Sequence, residues 1–367
     1  MKSAIARTLR VAGTFLLFLL AALCFAPTVI SPFLDRIYYE GPATSHFDGE
    51  RFFNPDGPAS PSARRRGNFF SRWAGGSERA RWPNRVGVVP TVPPRRVEGD
   101  AMRVTWIGHA TVLVQTRGLN ILTDPIWSDT ASPFPPFGPE RVRAPGVRFE
   151  DLPRIDLVLV SHNHYDHMDL PTLRRLWQRD RPLIVTSLGN DTIIAGAGAP
   201  ATARDWGGVV AVRPGVEVIV ERVHHWGSRS FTDRNRALWS GFTVRLPGGN
   251  VFFAGDTGWG DGSWVREAAR HGPFRLAIVP IGAYEPRDFM RTHHINPEEA
   301  VQIFEALNPV RALGVHWGTF QLTFEPIDDP RRQLAALRGR RRIAADRFVA
   351  VEAGTGFSVP SLPPSAR

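Results

Sequence analysis

From residue 102 onward the chain alternates short apolar runs with turn residues, and the runs have the length of strands. MRVTWI (102–107), TVLVQT (111–116) and LNILTD (119–124), separated by Gly108 and Gly118, predict successive strands of a meander. IDLVLV (155–160) is a continuous apolar run, as expected of a buried strand. LIVTS, VEVIVERV, GFTVRL, VFFAGD, LAIVPIG and RALGVHW repeat that pattern further along. Helical stretches are expected near 170–178, 263–271, 297–307 and 330–338. The third has a start signal: Asn296 can cap it, Pro297 suits its first position and Glu299 can close a capping box. Strands that feed loops, with helices between them, predict a β-rich α/β sandwich with sheet layers inside.

The first hundred residues read differently. VAGTFLLFLLAALCFAPTVI (11–30) is uncharged, long enough for a bilayer and preceded by Lys2, Arg7 and Arg10. It predicts a signal anchor or transmembrane helix over residues 1–31 rather than a cleaved leader. The cations before the span favour a membrane-anchored protein with its body on the periplasmic or extracytoplasmic side. Residues 32–84 are rich in Pro, Gly and Arg without periodicity, an irregular arm expected to wrap the domain at 85–360.

Charge and cysteine narrow the chemistry. The net charge of +10 comes from scattered arginines, with small clusters at 64–66 and 338–342. No RNA-binding or helix-turn-helix signature accompanies them, so nucleic acid is not an expected partner. The balance fits a solvated surface or attraction to anionic lipid. Cys24 is the single cysteine, so any metal site must use histidine and carboxylate.

SHNHYDHMD (161–169) supplies that site. His162, His164, Asp166 and His167 fall within six residues on a loop at the end of a buried strand, where several side chains can be aimed at one point. Two histidines two apart can share one ion while Asp166 and His167 turn toward a second. Zinc-like ions take about four nitrogen or oxygen ligands each, so downstream loops must contribute. His225 in VHHWG, Asp256 in FFAGDTG and His316 in LGVHWG stand at the ends of later apolar runs. One such histidine is ordinarily structural; three such positions with the loop point to a metal centre.

The ordered set resembles the metallo-β-lactamase superfamily, which implies an αββα sandwich of two central mixed sheets flanked by helices. By that resemblance His162, His164 and His225 hold one metal, Asp166, His167 and His316 the other, and Asp256 bridges them. The metals implied are two zinc ions, with manganese or iron as alternatives. WIGHAT (106–111), TDPIWSDTASP (123–133), HHWGSRSFTDRNRALWSGF (224–242), VPIGAYEPRDFM (279–290), HINPEEAV (294–301) and HWGTF (316–320) narrow the likeness. They resemble the N-acyl-phosphatidylethanolamine-hydrolysing phospholipase D family over roughly residues 85–355.

That resemblance implies a phosphodiesterase of the phospholipase D type, releasing phosphatidic acid from a phospholipid. Tyr165 and His294 are then expected to touch the substrate, and Asp256 and His294 to take part in catalysis. His109 can orient a ligand from outside the metal shell. His224, His271 and His293 receive no role. Phe134 and Phe137 in SPFPPFGP (132–139) either line an acyl groove or pack their loop down. The competing readings are a hydrolase of lactones or small phosphodiesters on the same scaffold, and a non-catalytic, membrane-anchored metal-binding protein.

Overall fold

The computed structural model describes residues 12–21, 36–58, 78–230 and 232–362. Its first sheet contains β1 (Met102–Gly108), β2 (Thr111–Thr116), β3 (Leu119–Thr123), β4 (Leu157–Val160), β5 (Leu183–Ser187), β6 (Thr202–Arg204) and β14 (Gly356–Ser358), in the order β14-β1-β2-β3-β4-β5-β6. The second contains β7 (Val209–Arg213), β8 (Val216–Glu221), β9 (Gly241–Arg245), β10 (Asn250–Phe253), β11 (Phe274–Pro280), β12 (Arg311–Val315) and β13 (Phe348–Val349), in the order β13-β12-β11-β10-β9-β8-β7. Each sheet mixes antiparallel hairpins with parallel pairs: β3 runs parallel to β4, and β11 parallel to β12.

Strand periodicity builds the layers. Successive side chains leave a strand on opposite faces, so a strand apolar at every position is covered twice. In the first sheet Val112, Val114, Ile121, Leu157, Leu159 and Val185 belong to the core shared with the second sheet. Their neighbours Leu113, Leu122, Val158, Val160 and Ile184 pack instead with Leu173, Leu176 and Ile194. Those last residues lie on α1 (Leu170–Asp180) and α2 (Asn190–Gly196). On the other side, α3 (Ser263–Ala269), α5 (Pro297–Leu307) and α6 (Asp329–Arg341) cover the second sheet, with the short α4 (Arg287–Met290) just before α5. This is the expected αββα sandwich. The Asn296–Glu299 capping box is present, each residue's side chain accepting from the other's backbone N–H.

The four expected helices and ten expected strands are all there. The added elements are β6, β7, β13, β14, α2 and α4; β6 and β7 are largely exposed, and the others are short, so their apolar signature is weak.

The expected transmembrane anchor is corrected here, and with it the membrane-anchored, extracytoplasmic placement and the membrane as a partner through an N-terminal helix. Among the described residues no helix is long and apolar enough to cross a membrane. Within the apolar run the described helical segment covers residues 12–21. The rest of the run lies outside the described residues.

Candidate metal centre and substrate groove

Every expected metal ligand arrives at one edge of the sandwich, because each follows the end of a strand. β4 ends at Val160 and feeds the loop carrying His162, His164, Asp166 and His167. β8, β10 and β12 lead to His225, Asp256 and His316 in the same way. Two backbone features hold this edge tightly. Gly255, at φ +61°, lies where a Cβ would come 2.6 Å from the Ser161 Cβ, and a Cβ on Gly282 would come 2.1 Å from the His316 carbonyl oxygen.

The ligand atoms fall into two groups. His162, His164 and His225 present atoms within 4.8 Å of one another, as do His109, Asp166, His167 and His316. In the first group His162 Nε2 lies 2.8 Å and His225 Nε2 3.4 Å from His164 Nδ1. In the second, His167 Nε2 and His316 Nε2 are 3.1 Å apart and each lies 3.3 Å from Asp166 Oδ2. Asp256 stands between them: its Oδ2 is 3.0 Å from His167 and 3.1 Å from His316, and it also groups with His225 and His294.

Hydrogen bonds on the outer ring nitrogens decide which face each imidazole turns inward. The Ser161 hydroxyl has one hydrogen, donated to Asp124 Oδ2 at 2.6 Å, so at 2.9 Å it accepts from His162 Nδ1–H. His167 Nδ1–H donates to the same Asp124 oxygen at 2.6 Å, and His225 Nδ1–H donates to the His293 carbonyl at 2.9 Å. Each of these three rings therefore aims Nε2 at the centre, the orientation that outer-shell partners give a metal-binding histidine. Asp256 Oδ1 and His164 Nε2 are buried with no hydrogen-bond partner among the described residues. Converging nitrogens without donors between them, two carboxylates and unpaired buried atoms are a donor set that fits metal ions of the zinc type.

Electrostatics separate the two groups. Burial, then the neighbouring imidazoles, hold His162 well below its ordinary value; burial does the same to His225 and brings His164 to about 3. Burial opposes ionisation of Asp166 and Asp256, but the imidazoles around them, His167 foremost, hold both well below the carboxylate range. Burial opposes protonation of His167 and His316 too, but Asp256 and Asp166 push His167 well above its ordinary value and His316 up to about 9, so without metal these two rings hold protons that ligation would displace.

Asp124 went unremarked as a functional residue in the sequence. Its positive φ of 30° turns the chain after β3, and its carboxylate also accepts the Ser161 N–H at 2.7 Å, so it braces His162 and His167 together. An acid at the end of an apolar run, in LNILTD, is the signal that could have found it. His109 reaches Asp166 Oδ2 from Nε2 at 2.8 Å, and its carbonyl accepts the His316 N–H at 3.0 Å. His294 lies beside the centre with Nδ1 3.8 Å from Asp256 Oδ2 and is held near 4 by burial. His293, without an assigned role in the sequence, supplies through its carbonyl the partner that orients His225. His224 pairs with Asp56, and His271 with Glu221.

A groove of about 1320 Å³ opens beside the ligand loop. Tyr165 forms part of its wall, its hydroxyl donating to the Arg229 carbonyl at 2.9 Å and its ring under the Arg229 guanidinium. Trp226 and Phe134 also line it, and four arginines face it with no acidic residue among the lining. Phe134 and Phe137 are 63% and 77% exposed, so neither ring packs its loop down; only Phe134 reaches the groove.

Comparison with known proteins places this geometry. The Beta-lactamase superfamily domain matches residues 119–317. N-acyl-phosphatidylethanolamine-hydrolyzing phospholipase D 1 of Caenorhabditis elegans is 37% identical over 283 residues, 72% of this chain and 79% of that protein. An uncharacterised protein of Mycobacterium tuberculosis is 36% identical over 256 residues, 68% of each chain. Among solved structures, an isothiocyanate hydrolase from Delia radicum gut bacteria shares the fold, with a TM-score of 0.57 at 20% identity over 71% of this chain and 100% of that one. The chain is therefore a metal-dependent hydrolase of the metallo-β-lactamase superfamily, and within it belongs to the family of the N-acyl-phosphatidylethanolamine-hydrolysing phospholipases D.

Proposed function

We propose that the chain is a dinuclear phosphodiesterase that cleaves phospholipids such as N-acyl-phosphatidylethanolamine on the head-group side, releasing phosphatidic acid. The observation that carries this reading is the place of Asp256, close to both ligand groups, with an apolar, arginine-lined groove beside the loop that carries four of the ligands. His162, His164 and His225 would hold one ion, Asp166, His167 and His316 the other, and Asp256 both, with zinc the metal best suited to the donor set. Two such ions lower the pKa of water toward neutrality and neutralise charge on phosphate oxygens.

The rest falls to the chain's own residues. In the net reaction water adds to phosphorus, the bond to the head-group oxygen breaks, and the released alcohol carries away a proton. His294 is neutral near pH 7, so it can donate one N–H to a phosphate or leaving-group oxygen. The Tyr165 hydroxyl is committed to the Arg229 carbonyl, so its contribution is the ring, which shapes the wall next to the ligands. The apolar lining suits acyl chains, and a lining with four arginines and no acidic residue suits an anionic diester, with Arg175 also paired to Glu150 at 2.9 Å.

The test is the zinc-loaded full chain offered N-acyl-phosphatidylethanolamine in mixed micelles, beside His162→Ala and Asp256→Asn. Phosphatidic acid released by the wild type and lost in both variants supports the proposal. A protein carrying two zinc ions that releases none overturns the phospholipase reading and leaves the fold standing.

A further inference from the structure

His225 sits in the long connection from β8 to β9, residues 222–240, next to an isolated bridge between His224 and Gly258. Its ring is fixed from one side by the His293 carbonyl. Its backbone is fixed from another, by the arm that precedes the sandwich in sequence. Asn54 Nδ2 donates to the His225 carbonyl at 2.8 Å, and Asn54 Oδ1 accepts from the indole Nε1–H of Trp239 at 3.1 Å. Indole nitrogen only donates, so the amide must turn its oxygen to Trp239 and its NH₂ to His225. Both ends are used, and Asn54 is 6% exposed.

The arm around Asn54 is held rigidly. Phe47 and Phe52 are buried in the main core and pack on each other and on Tyr39. The Phe52 N–H donates to the Asn235 carbonyl, the Arg51 guanidinium to the carbonyls of Thr232 and Arg234, and Asp56 pairs with His224 at 2.9 Å. Of these contacts, the Asn54 bond is the one made to the ligand-bearing residue itself.

We propose that Asn54 is a positioning residue for the metal centre, fixing the backbone of His225 so that its ring reaches the His162–His164 pair. The arm is then part of the catalytic unit, which extends upstream of residue 85. This inference rests on the two-metal reading above, and the experiment separates the two.

The full chain, stripped of metal, is titrated with Co²⁺ against a competing chelator while the visible absorption of the bound ion is followed. Wild type is compared with Asn54→Ala, Asn54→Asp and Arg51→Ala. Aspartate keeps the acceptor for Trp239 but has no donor for His225, so it separates the positioning bond from the packing of the indole. Arg51→Ala loosens the same arm without touching His225. The expected result is two equivalents in wild type, one of them bound about 10–100-fold more weakly in both Asn54 variants, the effect typical of an outer-shell partner. The absorption of that equivalent changes as well, and Arg51→Ala lowers the melting temperature alone. The proposal is overturned if Asn54→Asp binds both equivalents as wild type does, or if Arg51→Ala weakens cobalt as much as Asn54→Ala. One equivalent in wild type would overturn the two-metal reading, and the same comparison on that equivalent would still decide the role of Asn54. A wild-type chain that takes up no cobalt overturns both.

Discussion

Asp124 braces two proposed ligands through one carboxylate, taking the Ser161 N–H and hydroxyl and the His167 Nδ1–H. Asn at this position keeps the volume but brings a donor NH₂ into a site of donors, so one of the three bonds must fail. Asp124→Asn is expected to lower zinc affinity about 10–100-fold, read as zinc retained at a fixed chelator concentration. A second residue-scale prediction lies at Asp56. Burial opposes its ionisation, but the hydrogen bond from His224 and the charge of that ring hold the carboxyl at about 2. A folded-state value below the unfolded 3.8 gives stability that is present above about pH 4 and lost as pH falls toward 2. Asp56→Asn should therefore cost up to about 2 kcal/mol at neutral pH, in denaturant unfolding, and the gap to wild type should close in that acid window.

At the scale of elements the site depends on how closely the strand ends approach. Gly282 follows β11 and lies against the His316 backbone, where a methyl group would come 2.1 Å from the carbonyl oxygen. Neither backbone can yield alone, since the Ile281 N–H donates to the Val315 carbonyl at 2.9 Å. Gly282→Ala is expected to cost about 1–3 kcal/mol by overpacking and to displace His316, so that zinc content falls along with stability. The central strands were legible because both their faces are covered and most of their positions are apolar, all of them in β4. β7 was not, because four of its five residues are exposed or half-exposed. The start of α5 was legible from its cap, whose bonds lie within four residues.

At the scale of the molecule, the metals are expected to act as struts between two sheets. His162, His164, Asp166 and His167 follow a strand of the first sheet, while His225, Asp256 and His316 follow strands of the second. Ions bound only by the folded chain add stability as RT ln(1 + [M]/Kd), about 2.7 kcal/mol when free metal is a hundredfold above Kd. Chelation should lower the unfolding temperature, zinc should restore it, and magnesium should not, since a histidine-rich donor set suits zinc and magnesium prefers oxygen ligands. An unchanged melting curve after complete metal removal would show that the sandwich does not rely on them.

The sequence by itself determined the layers and pointed to the proposed ligands. Strand faces are written in a period of two, and the histidines and acids that converge stand where apolar runs end, so both are local properties of the chain. The tertiary structure alone decided which inward nitrogen each ring offers, since Asp124 and His293 reach His167 and His225 across 43 and 68 residues. It alone brought Asn54 to the His225 carbonyl, 171 residues away. It also turned Phe134 and Phe137 outward, since apolarity alone does not fix where a ring packs. Hydrogen bonds between distant backbones leave no periodicity behind them, and that is why they could be read only from the fold.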